Sequence, residues 1–352
     1  MDKNNKYLGE GSFGCVLTPE IKCKGKETVI HKSKGAKNFV SKIFIDKNYY
    51  TKEVNASKIL KKVDPSGKNI LLPYKTCEVS TTDIYKNNEA MQCEELSYYK
   101  NNPKHHLYQL IMPYGGIRYD TYFKKNRPTL KDFFHISKPL FEALILLEKK
   151  SICQYDIRGA NVLVGSNNKA IVIDHSLIIP YKKIYMASNL RRLKKAYYPY
   201  PPECIVYYQI YTQQDSLSTF LYTQFDESTH SYGETRYNAY ASFIDPGYIK
   251  DALTTMHTSF KNIVTKYENA NVSTYQNKLY KFITPYANRI DIYSVGMLIV
   301  TIFQYINYTG VSKNIKDDFV QFIKKLIEPN VFKRYTPTEA INNFNELLVR
   351  LK

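Results

Sequence analysis

The segment Gln154-Tyr155-Asp156-Ile157-Arg158-Gly159-Ala160-Asn161-Val162-Leu163-Val164, followed by Ile171-Val172-Ile173-Asp174-His175-Ser176, constrains this chain more than any other stretch. Residues 162–164 and 170–173 are short, β-branched runs on either side of the turn-like Gly165-Ser166-Asn167-Asn168, so the pattern predicts a β-hairpin fed by a polar loop. Asn161 and Asp174 stand at the two ends of that hairpin, and Asp156 lies five residues before Asn161. Upstream, Phe133, Ile136, Leu140, Phe141, Leu144, Ile145 and Leu147 recur at helical spacing and read as the core face of a long helix.

These side chains suit a particular chemistry. Asp156 can accept a hydroxyl proton, while Asn161 and Asp174 offer oxygen ligands of the kind Mg²⁺, a hard cation, prefers. Phosphoryl transfer from a metal-bound nucleotide needs this set. Taken alone, the same residues fit an ordinary buried hairpin with Asp and Asn caps equally well.

A second motif shifts that balance. Gly9-Glu10-Gly11-Ser12-Phe13-Gly14-Cys15-Val16 spells G-x-G-x-x-G-x-V, preceded by Leu8, and its glycines let backbone N–H groups approach phosphate oxygens. A dinucleotide-binding turn would need a helix starting inside the glycine run. Here Cys15-Val16-Leu17 continues as strand and stops at Thr18-Pro19, so a hairpin is predicted.

From these two motifs onward the chain resembles the protein kinase family. In the segment 39–43, Lys42 resembles the strand lysine that holds the α and β phosphates. Glu53 resembles its helical partner, although eleven residues is a tight spacing for the family. Leu110-Ile111-Met112-Pro113-Tyr114-Gly115-Gly116 resembles the segment joining the lobes, with Met112 behind the adenine, the Pro113 carbonyl as acceptor and the Gly115 N–H as donor. Pro201-Pro202-Glu203 resembles the A-P-E element, and Asp291-Ile292-Tyr293-Ser294-Val295-Gly296 the start of the large lobe's central helix. Glu328-Pro329-Asn330-Val331-Phe332-Lys333-Arg334 resembles the late D-P-x-x-R stretch, implying a buried Glu203–Arg334 ion pair.

The resemblance implies an α+β, bilobal protein-kinase-like fold, with a small β-rich N-lobe over 1–113 and a large, mostly helical C-lobe over 114–352. Its implied roles are Asp156 as proton acceptor, Arg158 beside the transferred phosphoryl, Lys42 on the phosphates and Glu53 on Lys42. The nucleotide would be bound by Leu8, Gly9, Glu10, Gly11, Ser12, Phe13, Gly14, Cys15, Val16, Lys42, Met112, Pro113 and Gly115, and the metal by Asn161 and Asp174. ATP and Mg²⁺ are the implied cofactors, and a protein hydroxyl the acceptor.

Departures from the family pattern carry information. Gln154-Tyr155 replaces His-Arg, so no cation is offered to a phosphorylated activation loop, and activity without loop phosphorylation is expected. His175-Ser176 replaces Phe-Gly, and Ala196 stands where a threonine is usual. Arg158 replaces the lysine usual in serine/threonine kinases and occurs in some tyrosine kinases, yet the Trp usual before A-P-E in the tyrosine-specific group is missing. Serine/threonine is the favoured acceptor, with a tyrosine-directed kinase, a pseudokinase scaffold and a small-molecule kinase as the other readings.

Between Glu203 and Asp291 the connection is much longer than the family's. This insertion, about 204–290, includes Asp245-Pro246 as N-cap and first helical residue, then Ile249, Leu253, Met256, Phe260, Ile263 and Tyr267 at helical spacing. A single amphipathic helix packed on the large lobe is the plain reading, and a docking surface for a substrate or partner the sharper one.

With 352 residues and 43% hydrophobic content the chain can bury a core in two lobes. The glycine run begins at residue 9, so no signal or transit peptide is expected, and residues 295–303 are far short of the ~20 needed to span a bilayer. Six cysteines, at 15, 23, 77, 93, 153 and 204, show no regular spacing and read as reduced thiols of an intracellular, reducing compartment. His105-His106 reads as surface loop, not metal site. The net charge of +18 comes from lysines scattered in pairs, so nucleic acid is not a required partner. The Lys, Asn, Ile and Tyr bias, with 33 Tyr and no Trp, resembles that of large DNA viruses of the giant-virus group, which would place the chain in host cytoplasm or virion.

Overall fold

The structure is a computed structural model. It describes residues 5–11, 14–31, 38–101, 103, 106–189, 200–212, 243–266 and 272–351. Ser12, Phe13, His105, Ala196 and Tyr267, and most of the insertion between 213 and 242, lie outside the described residues. The chain divides into two compact units, residues 1–116 with 171–176, and residues 117–170 with 177–352.

The first unit is built on a six-stranded antiparallel sheet. Its strands are β1 (Lys6–Gly11), β2 (Gly14–Thr18), β3 (Cys23–Val29), β4 (Phe39–Phe44), β5 (Lys75–Val79) and β6 (Leu107–Pro113), in spatial order β1-β2-β4-β6-β5-β3. Sequence explains the order. β4, Phe-Val-Ser-Lys-Ile-Phe, is buried along nearly its whole length and occupies an interior position. The charged β3 sits at an edge, where Lys24, Lys26 and Glu27 face solvent. Helix α1 (Lys47–Val63) starts at Asp46, whose side chain accepts the Asn48 N–H at 2.6 Å, and ends with Lys61 and Lys62 against the C-terminal dipole. It buries Glu53, Ala56, Ser57, Leu60 and Val63, one face at helical spacing. Residues 171–176 join this unit through a parallel bridge between Ile70 and Val172.

Two features of this unit were not foreseen. The stretch between β5 and β6 folds into α2 (Thr81–Lys86), a 3₁₀ turn (Ala90–Gln92) and α3 (Glu94–Tyr98), which bury Ile84, Ala90, Cys93 and Leu96 against Cys15, Leu17 and Ile43. The cysteines correct the expectation of six reduced thiols: Cys15 is disulfide-bonded to Cys93 and Cys23 to Cys77, with Cα–Cα distances of 6.0 and 5.8 Å. These pairs are 78 and 54 residues apart in sequence, so sheet topology, not local spacing, brings them together. Cys153 and Cys204 are free and buried.

The second unit is largely helical. Here α4 (Tyr119–Asn126) precedes α5 (Leu130–Glu148), whose Thr129–Asp132 capping box fixes its start. The predicted stripe of α5 is core: Phe133, Phe134 and Phe141 pack with Phe319, Phe322 and Phe344 from the helices Lys313–Leu326 and Pro337–Arg350. Helix Ile290–Ile302 is apolar around nearly its whole circumference and accordingly buried. In the insertion, helix Pro246–Thr265 forms as predicted, with Ile249, Leu253, Met256 and Phe260 buried. A further helix, Val272–Ile283, follows it, so the insertion holds more than the single helix expected. Among the described residues, no helix is long and apolar enough to cross a membrane.

Candidate active site

In the first unit the glycine motif is a hairpin, as predicted, with Gly9 opposite Val16, Glu10 opposite Cys15 and Gly11 opposite Gly14. Gly9 has φ +149°, and a Cβ on Gly14 would collide with the Ile43 carbonyl, so both positions need glycine. Leu8 is exposed and Cys15 buried. Met112 packs against Ile30, Phe44 and Leu110. The Tyr114 N–H is spent on the Asn38 carbonyl at 3.0 Å.

Lys42 projects from β4 between two carboxylates. Its Nζ lies 2.7 Å from Glu53 Oε2 and 3.5 Å from Asp174 Oδ1, and both Lys42 and Glu53 are buried. Burial works against the ammonium charge, yet Glu53 and Asp174 hold the Lys42 pKa above its ordinary value. Burial pushes Glu53 up, with Lys42 opposing. For Asp174, burial alone would raise the carboxyl, but Lys42 and the Ser176 hydroxyl, 3.0 Å away, hold it below the usual carboxylate range. Asp174 is therefore an anionic oxygen donor beside a fixed cation, with its backbone in the left-handed region at φ +55°.

His175 fills a place that sequence reasoning marked only as a departure. Its buried ring hydrogen-bonds the Leu71 carbonyl at 2.9 Å, and burial lowers its pKa to about 4, so the ring is a neutral N–H donor. An unfolded histidine titrates near 6.5. The unfolded chain thus binds a proton that the native one refuses, and stability is full above pH ~6.5 and falls as pH drops toward ~4. The loss attributable to this ring is roughly 3 kcal/mol. Denaturant unfolding of the metal-free protein across that range is expected to show a slope that His175→Gln, which keeps an N–H donor, flattens; identical slopes would reject the assignment.

In the second unit Asp156, Arg158 and Asn161 lie together on one loop. Asn161 Nδ2 donates to the Asp156 carbonyl at 2.9 Å and to its Oδ2 at 2.7 Å, which directs the amide oxygen away as an acceptor. The Arg158 Nε is 3.6 Å from Asp156 Oδ1. Asn161 offers an amide oxygen here and Asp174, in the first unit, a carboxylate oxygen, each by itself a hard donor of the kind Mg²⁺ accepts.

Asp291 holds this loop in shape. Its carboxylate accepts the Gln154 N–H at 2.7 Å, the Tyr155 N–H at 2.9 Å and the Cys153 thiol at 3.1 Å. Burial pushes the Asp291 carboxyl up and these donors oppose the shift. Tyr155 adopts φ +66°, uncommon for a bulky residue, and its ring packs on Tyr200 with centroids 4.5 Å apart.

The Glu203–Arg334 pair expected from the sequence is present and bidentate, at 2.7 and 2.9 Å, with both side chains fully buried. Arg334 also donates to the Glu328 carbonyl at 2.8 Å, and its guanidinium lies over the Tyr293 ring.

A comparison with curated proteins finds none that matches this chain. The profile of the family described as protein tyrosine and serine/threonine kinase matches residues 3–274. That span covers most of the chain, including the glycine hairpin, Lys42, Glu53, the Asp156–Asn161 loop, Asp174 and Glu203, and the chain belongs to the protein kinase family.

Proposed function

We propose that this chain is an active protein kinase that transfers the γ-phosphoryl of ATP to a serine or threonine hydroxyl. The observation that carries the proposal is the Lys42–Glu53 bond at 2.7 Å with Asp174 beside it: a buried ammonium fixed between two carboxylates is placed to hold phosphates, and Asp156, the proton acceptor, is retained as well. Bound Mg²⁺–ATP supplies the reactive phosphoryl group and neutralises the charge on its oxygens.

The chain's own residues bind, orient and take the proton. Backbone N–H groups of residues 9–16 and the Lys42 ammonium hold phosphates, and Glu53 keeps Lys42 in place. Met112, Pro113 and Gly115 receive the adenine, and Asn161 and Asp174 are the metal's oxygen ligands. Asp156 accepts or orients the acceptor's hydroxyl proton, and Arg158 offsets charge on the transferred group. The lobes of this reading are 1–113 and 114–352, and within the 204–290 insertion the helix Pro246–Thr265 packs by its buried face, with substrate docking there the second reading.

Because Tyr155 packs on Tyr200 instead of offering a cation, phosphorylation of the activation loop is not required. Phosphatase-treated protein incubated with labelled ATP, followed by phosphoamino-acid analysis, tests these points together. Label on serine or threonine without a lag is expected. Label on tyrosine would correct the acceptor. Protein that stays inactive until phosphorylated within 175–200 would overturn the loop argument, and no incorporation under any condition would leave the pseudokinase reading, which His175-Ser176 and Gln154-Tyr155 favour.

A further inference from the structure

We infer that residues 80–98 are a strap that positions the glycine hairpin, and that the Cys15–Cys93 disulfide is its covalent, redox-sensitive tie. The inference rests on the reading of residues 9–16 as the nucleotide-binding hairpin.

β5 and β6 are antiparallel neighbours with Val79 opposite Leu107, a connection that a tight turn could make. Instead the chain makes α2, the 3₁₀ turn and α3 before returning. Its polar ties converge on the hairpin. The Glu89 carboxylate accepts the Tyr7 N–H at 2.9 Å, Asn87 donates to Asn5 at 3.0 Å, and the Glu94 N–H donates to the Glu10 carboxylate at 2.8 Å. The disulfide lies next to the last of these. Glu10 and Cys15 are cross-strand partners one step from the Gly11–Gly14 pair at the hairpin's tip, and Glu94 and Cys93 are adjacent in the strap. One hydrogen bond and one covalent bond therefore hold both strands at the end where phosphate would be met.

A purely structural role would be met by the apolar contacts of Ile84, Ala90 and Leu96. The hairpin-end ties do something more specific: they limit how far Gly9, Gly11 and Gly14 can move. Oxidation by a low-molecular-weight disulfide such as glutathione disulfide balances as two thiols giving up two protons and two electrons to form Cys15–Cys93. The reagent's S–S bond breaks to two thiols by way of a mixed disulfide. Because both cysteines are buried, exchange proceeds through opening of the strap, and comparison is made on fully oxidised and fully reduced protein.

Hydrogen exchange of residues 5–18 in nucleotide-free protein reads the tether directly. Reduced wild type and oxidised Cys93→Ser are both expected to exchange about tenfold faster in this segment than oxidised wild type. Oxidised Cys77→Ser, which lacks the other disulfide, is expected to resemble wild type there. In steady-state assays the Cys93→Ser chain is expected to show a severalfold higher KM for ATP with kcat changed less than twofold, the split expected of a positioning residue. Equal exchange in oxidised and reduced wild type, a comparison that needs no substitution to fold, would overturn the proposal. So would a Cys77→Ser chain that loosens the hairpin as much as Cys93→Ser. Redox-linked exchange in a protein that binds no ATP in either state would support the strap and reject the nucleotide reading.

Discussion

Asp156→Asn is expected to lower phosphoryl transfer by about 10²- to 10⁴-fold while leaving ATP affinity within about twofold of wild type. The substitution is nearly isosteric, and the loop's shape does not depend on the Asp156 charge. Gln154 and Tyr155 are fixed from behind by Asp291, and Asn161 reaches the Asp156 backbone carbonyl as well as its carboxylate. What the amide loses is the capacity to accept a proton from the acceptor hydroxyl. Single-turnover incorporation from labelled ATP measures the first effect and direct titration with nucleotide the second. Equal incorporation by wild type and variant would reject catalysis at this loop. A parallel loss of affinity would mean that the variant had disturbed the fold, not the proton transfer.

The placement of most of the candidate residues was legible because their motifs follow one another in a fixed order along the chain. The glycine hairpin, Lys42, Glu53, the Asp156–Asn161 loop, Asp174, Glu203 and Arg334 each sit in the kind of element their local pattern predicts. Glu53, doubtful on spacing, lies within the buried face of α1 and meets Lys42. Contacts made by topology were not legible. The two disulfides join residues on different strands and helices at long separation, so a search for local spacing could only return free thiols. The strap had no strong signal of its own, because α2 and α3 are six and five residues long, too short for a helical period to stand out. The pattern at Asp291 predicts the start of a helix, which it is, but its grip on Gln154 and Tyr155 follows only from where that helix lies in the second unit. His175 shows the limit of motif matching: the sequence marks the missing Phe, while the buried acceptor that suits an imidazole, the Leu71 carbonyl, belongs to a distant segment.

Breaking the Glu203–Arg334 pair from one side is expected to cost about 3 to 5 kcal/mol of stability, a large fraction of the roughly 5 to 15 kcal/mol that native proteins have. Both side chains are fully buried, so Glu203→Gln leaves a guanidinium without its counter-charge and Arg334→Met leaves a bare carboxylate in the core. The Arg334 change carries a further loss, since its Nε also satisfies the Glu328 carbonyl and its guanidinium covers the Tyr293 ring. Replacing both partners, Glu203→Gln with Arg334→Met, removes both buried charges and is expected to recover a large part of the loss. Denaturant midpoints of the four proteins form a double-mutant cycle; single changes that cost under about 1 kcal/mol would show that the pair is not the clasp its geometry suggests. The pair also bears on catalysis. Glu203 lies in the first turn of the helix Pro202–Tyr211, three residues after Tyr200, which packs on Tyr155, and Tyr155 precedes Asp156. Loosening the clasp is therefore expected to loosen the Tyr155–Tyr200 contact beside Asp156, and the double variant to regain stability ahead of activity.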